Sequence, residues 1–135
     1  KRGKGAVLVV DDEERICSFC RRELEEAGYL VREARDGGDG LKIQRKNPSD
    51  IILLDLAMPG MDGPETLGHI REEWPALPVV IITAYGDSEL MLRALEYSPF
   101  MVLNKPFTRE QLLSVVKDTI NANQRSDRPL RGKKR

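Results

Sequence analysis

Short runs of apolar residues alternate with amphipathic segments along most of the chain. Three runs have the length of a buried strand, at residues 6–10, 51–54 and 78–82. Strands that are covered by helices on both faces have no polar face, so they read as continuous apolar runs. Two weaker strands are predicted at residues 29–33 and 100–103.

Helical periodicity follows each of these runs. After the first strand, one apolar stripe is formed by Ile16, Cys20, Leu24 and Ala27. The second helix, about residues 38–46, contains Gly38 and Gly40, each of which costs about 1 kcal/mol relative to alanine. We therefore expect this helix to be the least stable element.

Three further helices have recognisable starts. The third begins at Asp62 or Gly63, the fourth at Asp87 or Ser88, and the fifth at Thr108, where Thr108 and Gln111 form a capping box. Their predicted core positions are Leu67, Ile70, Leu90, Ala94, Met91 or Leu95, Leu112, Val115, Val116 and Ile120. Five strands alternating with five helices predict an α/β fold, a parallel sheet with helices on both faces.

The length of 135 residues suits one domain. We place it at residues 6–121, after a basic extension at 1–5 and before a basic tail at 122–135 that is a disordered segment or a linker. No apolar run approaches the roughly 20 residues of a membrane span, and no secretory signal opens the chain. The sequence therefore favours a cytoplasmic protein that does not enter a membrane.

The formal net charge of zero hides an asymmetry. Residues 1–5 and 125–135 together carry +8, which leaves −8 on the body of the chain. A basic tail can bind nucleic acid or an acidic partner, but an acidic body argues against direct nucleic-acid binding by the domain.

Cys17 and Cys20 form a C-x-x-C pair. Structural zinc needs further Cys or His ligands at matching spacing, and His69 is the only histidine. Both cysteines fall in a charged amphipathic helix, so we expect Cys20 in the core and Cys17 near the surface. We expect His69, beside several charged residues, to be a solvated surface side chain.

Polar residues follow four of the predicted strands, namely Asp11 and Asp12, Asp55, Thr83, and Lys105. The carboxyl ends of parallel strands meet at one edge, where open α/β sheets bind ligands. Carboxylates brought together there repel one another and need a cation, and oxygen ligands suit Mg²⁺. Lys105 beside Mg²⁺ would leave the site short of negative charge, which an incoming phosphoryl group would supply.

These residues also carry a resemblance to a family. The Asp11-Asp12 pair, the D-x-x-M-P-G-M-D-G string at residues 55–63, Thr83-Ala84 and Lys105-Pro106-Phe107 resemble the receiver domain of bacterial two-component response regulators. The resemblance covers about residues 6–121. It implies the flavodoxin-like fold with strand order 2-1-3-4-5.

The resemblance further implies a role for each matching residue. Asp55 would accept a phosphoryl group from a sensor histidine kinase or a phosphotransfer protein. Mg²⁺ would be bound directly by Asp12, Asp55 and the backbone carbonyl of Ala57, and by Asp11 through water. Thr83, Ala84 and Lys105 would bind the phosphoryl group, and the bond before Pro106 would be cis. Such a domain is a signalling switch rather than a metabolic enzyme, and it controls dimerisation or an output partner through helix 4, strand 5 and helix 5.

Three positions bear on how such a switch would behave. Val102 stands where receivers usually carry Tyr or Phe. Either Phe100 takes the place of that aromatic residue, or the phosphorylation site is coupled to the rest of the domain in a different way. Ala57 has no side chain that could orient an attacking water, and Tyr85 is bulky enough to shield a phosphoryl group. We therefore predict slow self-dephosphorylation.

Two other functions fit parts of the pattern. A Mg²⁺-dependent phosphatase of the haloacid-dehalogenase type would need a second Asp two residues after the nucleophile, where Ala57 stands. An interaction module that has the receiver fold but is never phosphorylated is favoured only by Val102.

Overall fold

The structure, a computed structural model, describes residues 3–84, 86 and 88–126. Of these, residues 125 and 126 are described by their backbone alone. Five strands form one sheet: β1 (Ala6–Val10), β2 (Leu30–Ala34), β3 (Ile51–Asp55), β4 (Val79–Thr83) and β5 (Met101–Asn104). All neighbouring strands are parallel, in the order β2-β1-β3-β4-β5. The predicted fold and strand order are confirmed.

The five helices are α1 (Glu14–Glu26), α2 (Gly37–Lys46), α3 (Gly63–Glu73), α4 (Glu89–Leu95) and α5 (Arg109–Ser126). The side chain of Asp62 caps α3 and that of Ser88 caps α4. The alternative cap of α4, Asp87, lies outside the described residues. The predicted capping box at α5 is present, because Gln111 N–H donates to Thr108 Oγ1 and Thr108 N–H donates to Gln111 Oε1.

The sheet separates two apolar clusters. One cluster joins the sheet to α1 and α5, with helical members Cys17, Cys20, Leu24, Leu112, Val115, Val116 and Ile120. The other joins the sheet to α2, α3 and α4, with helical members Leu41, Leu67, Ile70, Met91 and Ala94. Because β1, β3 and β4 are buried along their whole length, they present no polar face.

Some details differ from the sequence-based predictions. Cys17 is fully buried rather than near the surface, because α1 turns it toward the cluster and its Sγ donates to the carbonyl of Asp11. In α4, Met91 is buried and Leu95 is 55% exposed. At the other end, α5 continues to Ser126, five residues past the predicted domain end.

The basic ends are only partly described. Gly5 is buried and Lys4 N–H donates to the carbonyl of Gly28, so the chain already packs on the domain before β1 begins. Residues 1–2 and 127–135 lie outside the described residues. The prediction that the basic tail is a disordered segment or a linker falls mostly on these residues. No helix in the described ranges is both long and apolar enough to cross a bilayer.

Candidate functional site

The acidic residues meet because of the strand register. Val10 of β1 pairs with Leu54 of β3, so Asp11 follows β1 beside Asp55 at the end of β3. Asp11 and Asp55 are 0% and 4% exposed, whereas Asp12 is exposed. One carboxylate oxygen from each of the three lies within 4.8 Å of the others. The cluster expected from the strand ends therefore exists.

Lys105 lies in the same pocket. Its Nζ is 2.9 Å from Asp11 Oδ2, 3.0 Å from Glu13 Oε1 and 3.3 Å from Asp55 Oδ1. Two of these partners were predicted from the sequence and Glu13 was not. Glu13 directly follows the Asp pair, but no sequence pattern predicts a contact with a lysine 92 positions away.

The backbone places Lys105 beside β4. Thr83 pairs with Asn104 in the sheet, and Lys105 N–H donates to the carbonyl of Thr83 at 2.8 Å. Thr83 is buried and Ala84 is exposed. The peptide bond between Lys105 and Pro106 is cis, the isomer that the resemblance implied. All the strand ends that carry the predicted polar residues therefore lie at one edge of the sheet.

Burial dominates the electrostatics of the acids. It raises the pKa of Asp55 to about 6, and the charges of Asp11 and Asp12 add to the rise while Lys105 opposes it. Burial likewise raises the pKa of Asp11, against the N–H of Glu13 and the ammonium of Lys105. Burial alone would lower the pKa of Lys105, but its close contacts with Asp11 and Glu13 and the charge of Asp55 outweigh burial and raise that pKa.

The donor set fits a hard divalent cation. The three acids supply oxygen ligands, two of them withdrawn from water, which is the ligand type that Mg²⁺ prefers. Asp11 Oδ2 is buried and contacts Lys105 as an ion pair without making a hydrogen bond. A cation at this point would relieve both the repulsion among the acids and the unsatisfied oxygen.

The remaining predicted positions lie around this cluster. Ala57 is half-buried just beyond β3, and Val102 is a half-buried residue of β5 that packs on the cluster around α3 and α4. Phe100 precedes β5 and is 43% exposed. Tyr85 lies outside the described residues, so its predicted shielding role is untested.

Known proteins share this sequence and fold. The response regulator receiver domain family matches residues 7–117. The DNA-binding transcriptional regulator NtrC of Proteus hauseri is 34% identical over 126 residues, which cover 93% of this chain and 27% of that protein. The transcriptional regulatory protein KdpE of Mycobacterium tuberculosis is 33% identical over 117 residues, 87% of this chain and 51% of KdpE. The chain thus spans about a quarter to a half of these relatives.

A solved structure agrees with the sequence match. The CheY-like receiver domain protein of Methanospirillum hungatei has a TM-score of 0.85 at 26% identity, over 90% of this chain and 97% of that one. Its near-complete coverage shows that the described elements form the same unit. The family match runs from the second residue of β1 to the middle of α5 and includes every residue of the acidic cluster. The chain belongs to the response regulator receiver domain family, the signalling domain of two-component systems.

Proposed function

We propose that Asp55 is the phosphoacceptor of a signalling switch and takes its phosphoryl group from a phosphohistidine. One observation carries the proposal: a buried carboxylate at the end of β3 lies within 3.3 Å of a lysine ammonium and beside two further acids. A carboxylate with a purely structural role would not be expected so close to two other carboxylates, because their charges repel one another. Here the arrangement leaves a nucleophile, a cation and a set of oxygen ligands at one place.

The residues suit phosphoryl transfer. An oxygen of Asp55 attacks phosphorus and forms an acyl phosphate, while the P–N bond breaks and the histidine leaves with its electron pair. The transition state carries charge on the equatorial oxygens, so positioning and cationic groups do most of the work. Lys105 is within reach of that charge, and the Thr83 hydroxyl at the end of β4 is the donor we propose for a phosphoryl oxygen. The domain would catalyse only its own phosphorylation and dephosphorylation.

We propose that Mg²⁺ is held by Asp11, Asp12, Asp55 and the backbone carbonyl of Ala57. When bound, it supplies positive charge to the nucleophile and to the phosphoryl oxygens. Neutralising the cluster would also lower the pKa of Asp55 and keep its carboxylate ionised at neutral pH. The acids that raise this pKa are the ones that would hold the metal.

The partner would be a sensor histidine kinase or a phosphotransfer protein, and the cytoplasm would be the compartment. An open cleft of about 620 Å³ lies beside the acidic pocket, with Ile16, Phe19 and Phe107 on its apolar side and Glu13 and Arg15 among its charged residues. This cleft could receive the side of a protein that presents a phosphohistidine to Asp55.

The proposed output surface is formed by α4, β5 and α5. Exposed apolar side chains on α4 and β5 include Leu92 and Met101, which are 66% and 41% exposed. Exposed apolar groups of this size suit dimerisation or an output partner. The half-buried Val102 packs between this surface and the core, so we infer that it transmits the signal by packing rather than by an aromatic side chain that swings inward.

The test is intact-protein mass spectrometry after incubation with acetyl phosphate, with and without Mg²⁺. We expect one added phosphoryl group that depends on Mg²⁺ and is absent in Asp55→Asn. Asp118→Asn, an exposed change on α5, serves as the matched control and should label like the wild type. No adduct on the wild-type protein would favour an interaction module that is not phosphorylated.

We also predict that the phosphorylated protein loses its phosphoryl group slowly. The side chain of Ala57 offers no polar atom to orient water, and Tyr85 would cover the group. After removal of acetyl phosphate, the adduct should persist several-fold longer than in an Ala57→Asn, Tyr85→Glu double variant. Each single variant shows which position is responsible, and equal lifetimes in all four proteins would contradict the prediction.

A further inference from the structure

Three carboxylates surround the Lys105 ammonium, which donates hydrogen bonds to Glu13 and Asp55 and forms an ion pair with Asp11. An ammonium has three N–H groups, and Nζ contacts Asp11, Glu13 and Asp55 at 2.9, 3.0 and 3.3 Å. A phosphoryl group on Asp55 also needs this ammonium for one of its oxygens. Only 12% of the Lys105 side chain is exposed, so an incoming oxygen reaches the ammonium by displacing one of the three carboxylates around it.

The three partners differ in how easily they can leave. The side chain of Asp11 is fully buried, and Asp55 itself carries the new bond, whereas the side chain of Glu13 is 59% exposed. Water can solvate the Glu13 carboxylate once it separates from Lys105, so breaking this ion pair costs far less than separating a buried charge from its partner.

Within the described part of the chain, the Glu13 side chain makes no hydrogen bond or ion pair other than the one to Lys105. Glu13 is the N-cap residue of α1, but its side chain makes no capping hydrogen bond. The part of Glu13 that organises the site is its backbone N–H, which donates to Asp11 Oδ1 at 2.9 Å. The carboxylate and the backbone of this residue therefore act independently.

We propose that Glu13 is a positioning residue that occupies Lys105 in the unphosphorylated protein and competes with the phosphoryl group for it. In this mechanism the ion pair holds the ammonium at the mouth of the pocket and makes it available only when a phosphoryl oxygen takes the place of Glu13 Oε1. The inference rests on the proposed phosphorylation of Asp55. It adds a built-in brake on the loading of that site.

The test compares the KM for acetyl phosphate, at saturating Mg²⁺, in Glu13→Ala and Glu14→Ala. Both variants remove one exposed negative charge from adjacent positions, but only Glu13 contacts Lys105 in the described structure. We expect KM to fall in Glu13→Ala by about two- to fivefold, the range that a partly exposed ion pair supports. Glu14→Ala should stay close to the wild type.

A charge-conserving variant separates the contact from the general field. Glu13→Asp keeps the charge but is one methylene too short for the same contact, and Asp is a favoured N-cap that would turn toward the helix. If direct competition operates, Glu13→Asp should resemble Glu13→Ala. If only the negative field matters, it should resemble the wild type, and the proposal would be overturned.

A second readout needs neither metal nor phosphoryl donor. In metal-free protein, the Nζ–H signal of Lys105 in ¹H–¹⁵N spectra should exchange with water faster in Glu13→Ala than in the wild type or in Glu14→Ala. Unchanged exchange together with unchanged KM would overturn the inference while Asp55 still labels. Failure of the wild-type protein to label at all would instead overturn the proposed function.

Discussion

Metal-free Asp55→Asn should be more stable than the wild-type protein by about 3 kcal/mol at pH 8, because a difference of one pKa unit corresponds to about 1.4 kcal/mol. Burial and the neighbouring acids raise the pKa of Asp55 from 3.8 to about 6. Ionisation of this carboxylate therefore opposes folding. Asparagine has nearly the same shape and carries no charge, so it removes the penalty.

The effect has a definite pH dependence. Between pH 4 and 6 the folded state holds a proton on Asp55 that the unfolded state has already lost, so the folded protein loses stability as the pH rises. Above pH 6 the penalty is complete, and below pH 4 it is absent. The gain from Asp55→Asn should therefore be largest at pH 7–8 and should vanish near pH 4.

Urea denaturation in the presence of a chelator measures this difference directly. Asp118→Asn provides the control, since an exposed substitution of this kind should change stability by less than about 0.5 kcal/mol at either pH. Added Mg²⁺ should raise the stability of the wild type more than that of the variant, because it binds the folded acids. A variant that is less stable than the wild type at pH 8 would contradict this account of the site.

The apolar pattern was enough to predict the sheet and the residues at its edge. Buried parallel strands such as 51–55 leave no ambiguity, because every position is apolar until Asp55 ends the run. The weaker strand at 29–33 was predicted one residue too early, since β2 is an edge strand and three of its five positions remain accessible. The strand ends therefore predicted the acidic cluster, whereas the first and last residues of the edge strand could not be predicted as accurately.

Features that depend on packing could not be predicted in the same way. Both Ile16 and Cys17 fit a helical stripe, and only the docking of α1 shows that Cys17 is the fully buried one. Burial raises the pKa of the Cys17 thiol to about 11, which disfavours the reactive thiolate at neutral pH. The contact between Glu13 and Lys105 likewise depends on two distant loops meeting, and no periodicity contains that information.

The glycines of α2 show why propensity alone is incomplete. Both Gly38 and Gly40 weaken a helix in isolation, but a Cβ on Gly40 would lie 3.0 Å from Val10 Cγ2. Gly40 thus allows α2 to approach β1, whereas a Cβ on Gly38 would make only an ordinary contact, 3.5 Å from Oδ1 of the half-buried Asp36. The low stability predicted for α2 remains a prediction. Of Gly38 and Gly40, only Gly38 could be replaced by alanine without a steric conflict.

Gly63→Ala should be the most damaging small substitution near the site, costing about 3 kcal/mol or more, because overpacking against fixed atoms is at the upper end of its usual range. A Cβ on Gly63 would lie 2.5 Å from the carbonyl oxygen of Asp55 and 2.5 Å from Leu56 Cα. These are backbone atoms, so no rotamer change can relieve the contact. The same backbone is tied by a hydrogen bond from Gly63 N–H to the carbonyl of Leu56 at 2.8 Å.

The substitution should therefore damage function as well as stability, since the methyl group would press on the carbonyl of Asp55 and on Leu56 and displace the backbone that carries Asp55. Urea denaturation and the rate of acetyl phosphate labelling should both decline. Gly38→Ala is the matched control, and it should be neutral or stabilising by up to about 1 kcal/mol, with labelling unchanged. Wild-type stability in Gly63→Ala would mean that the loop after β3 can yield without cost, which its backbone hydrogen bond and close packing argue against.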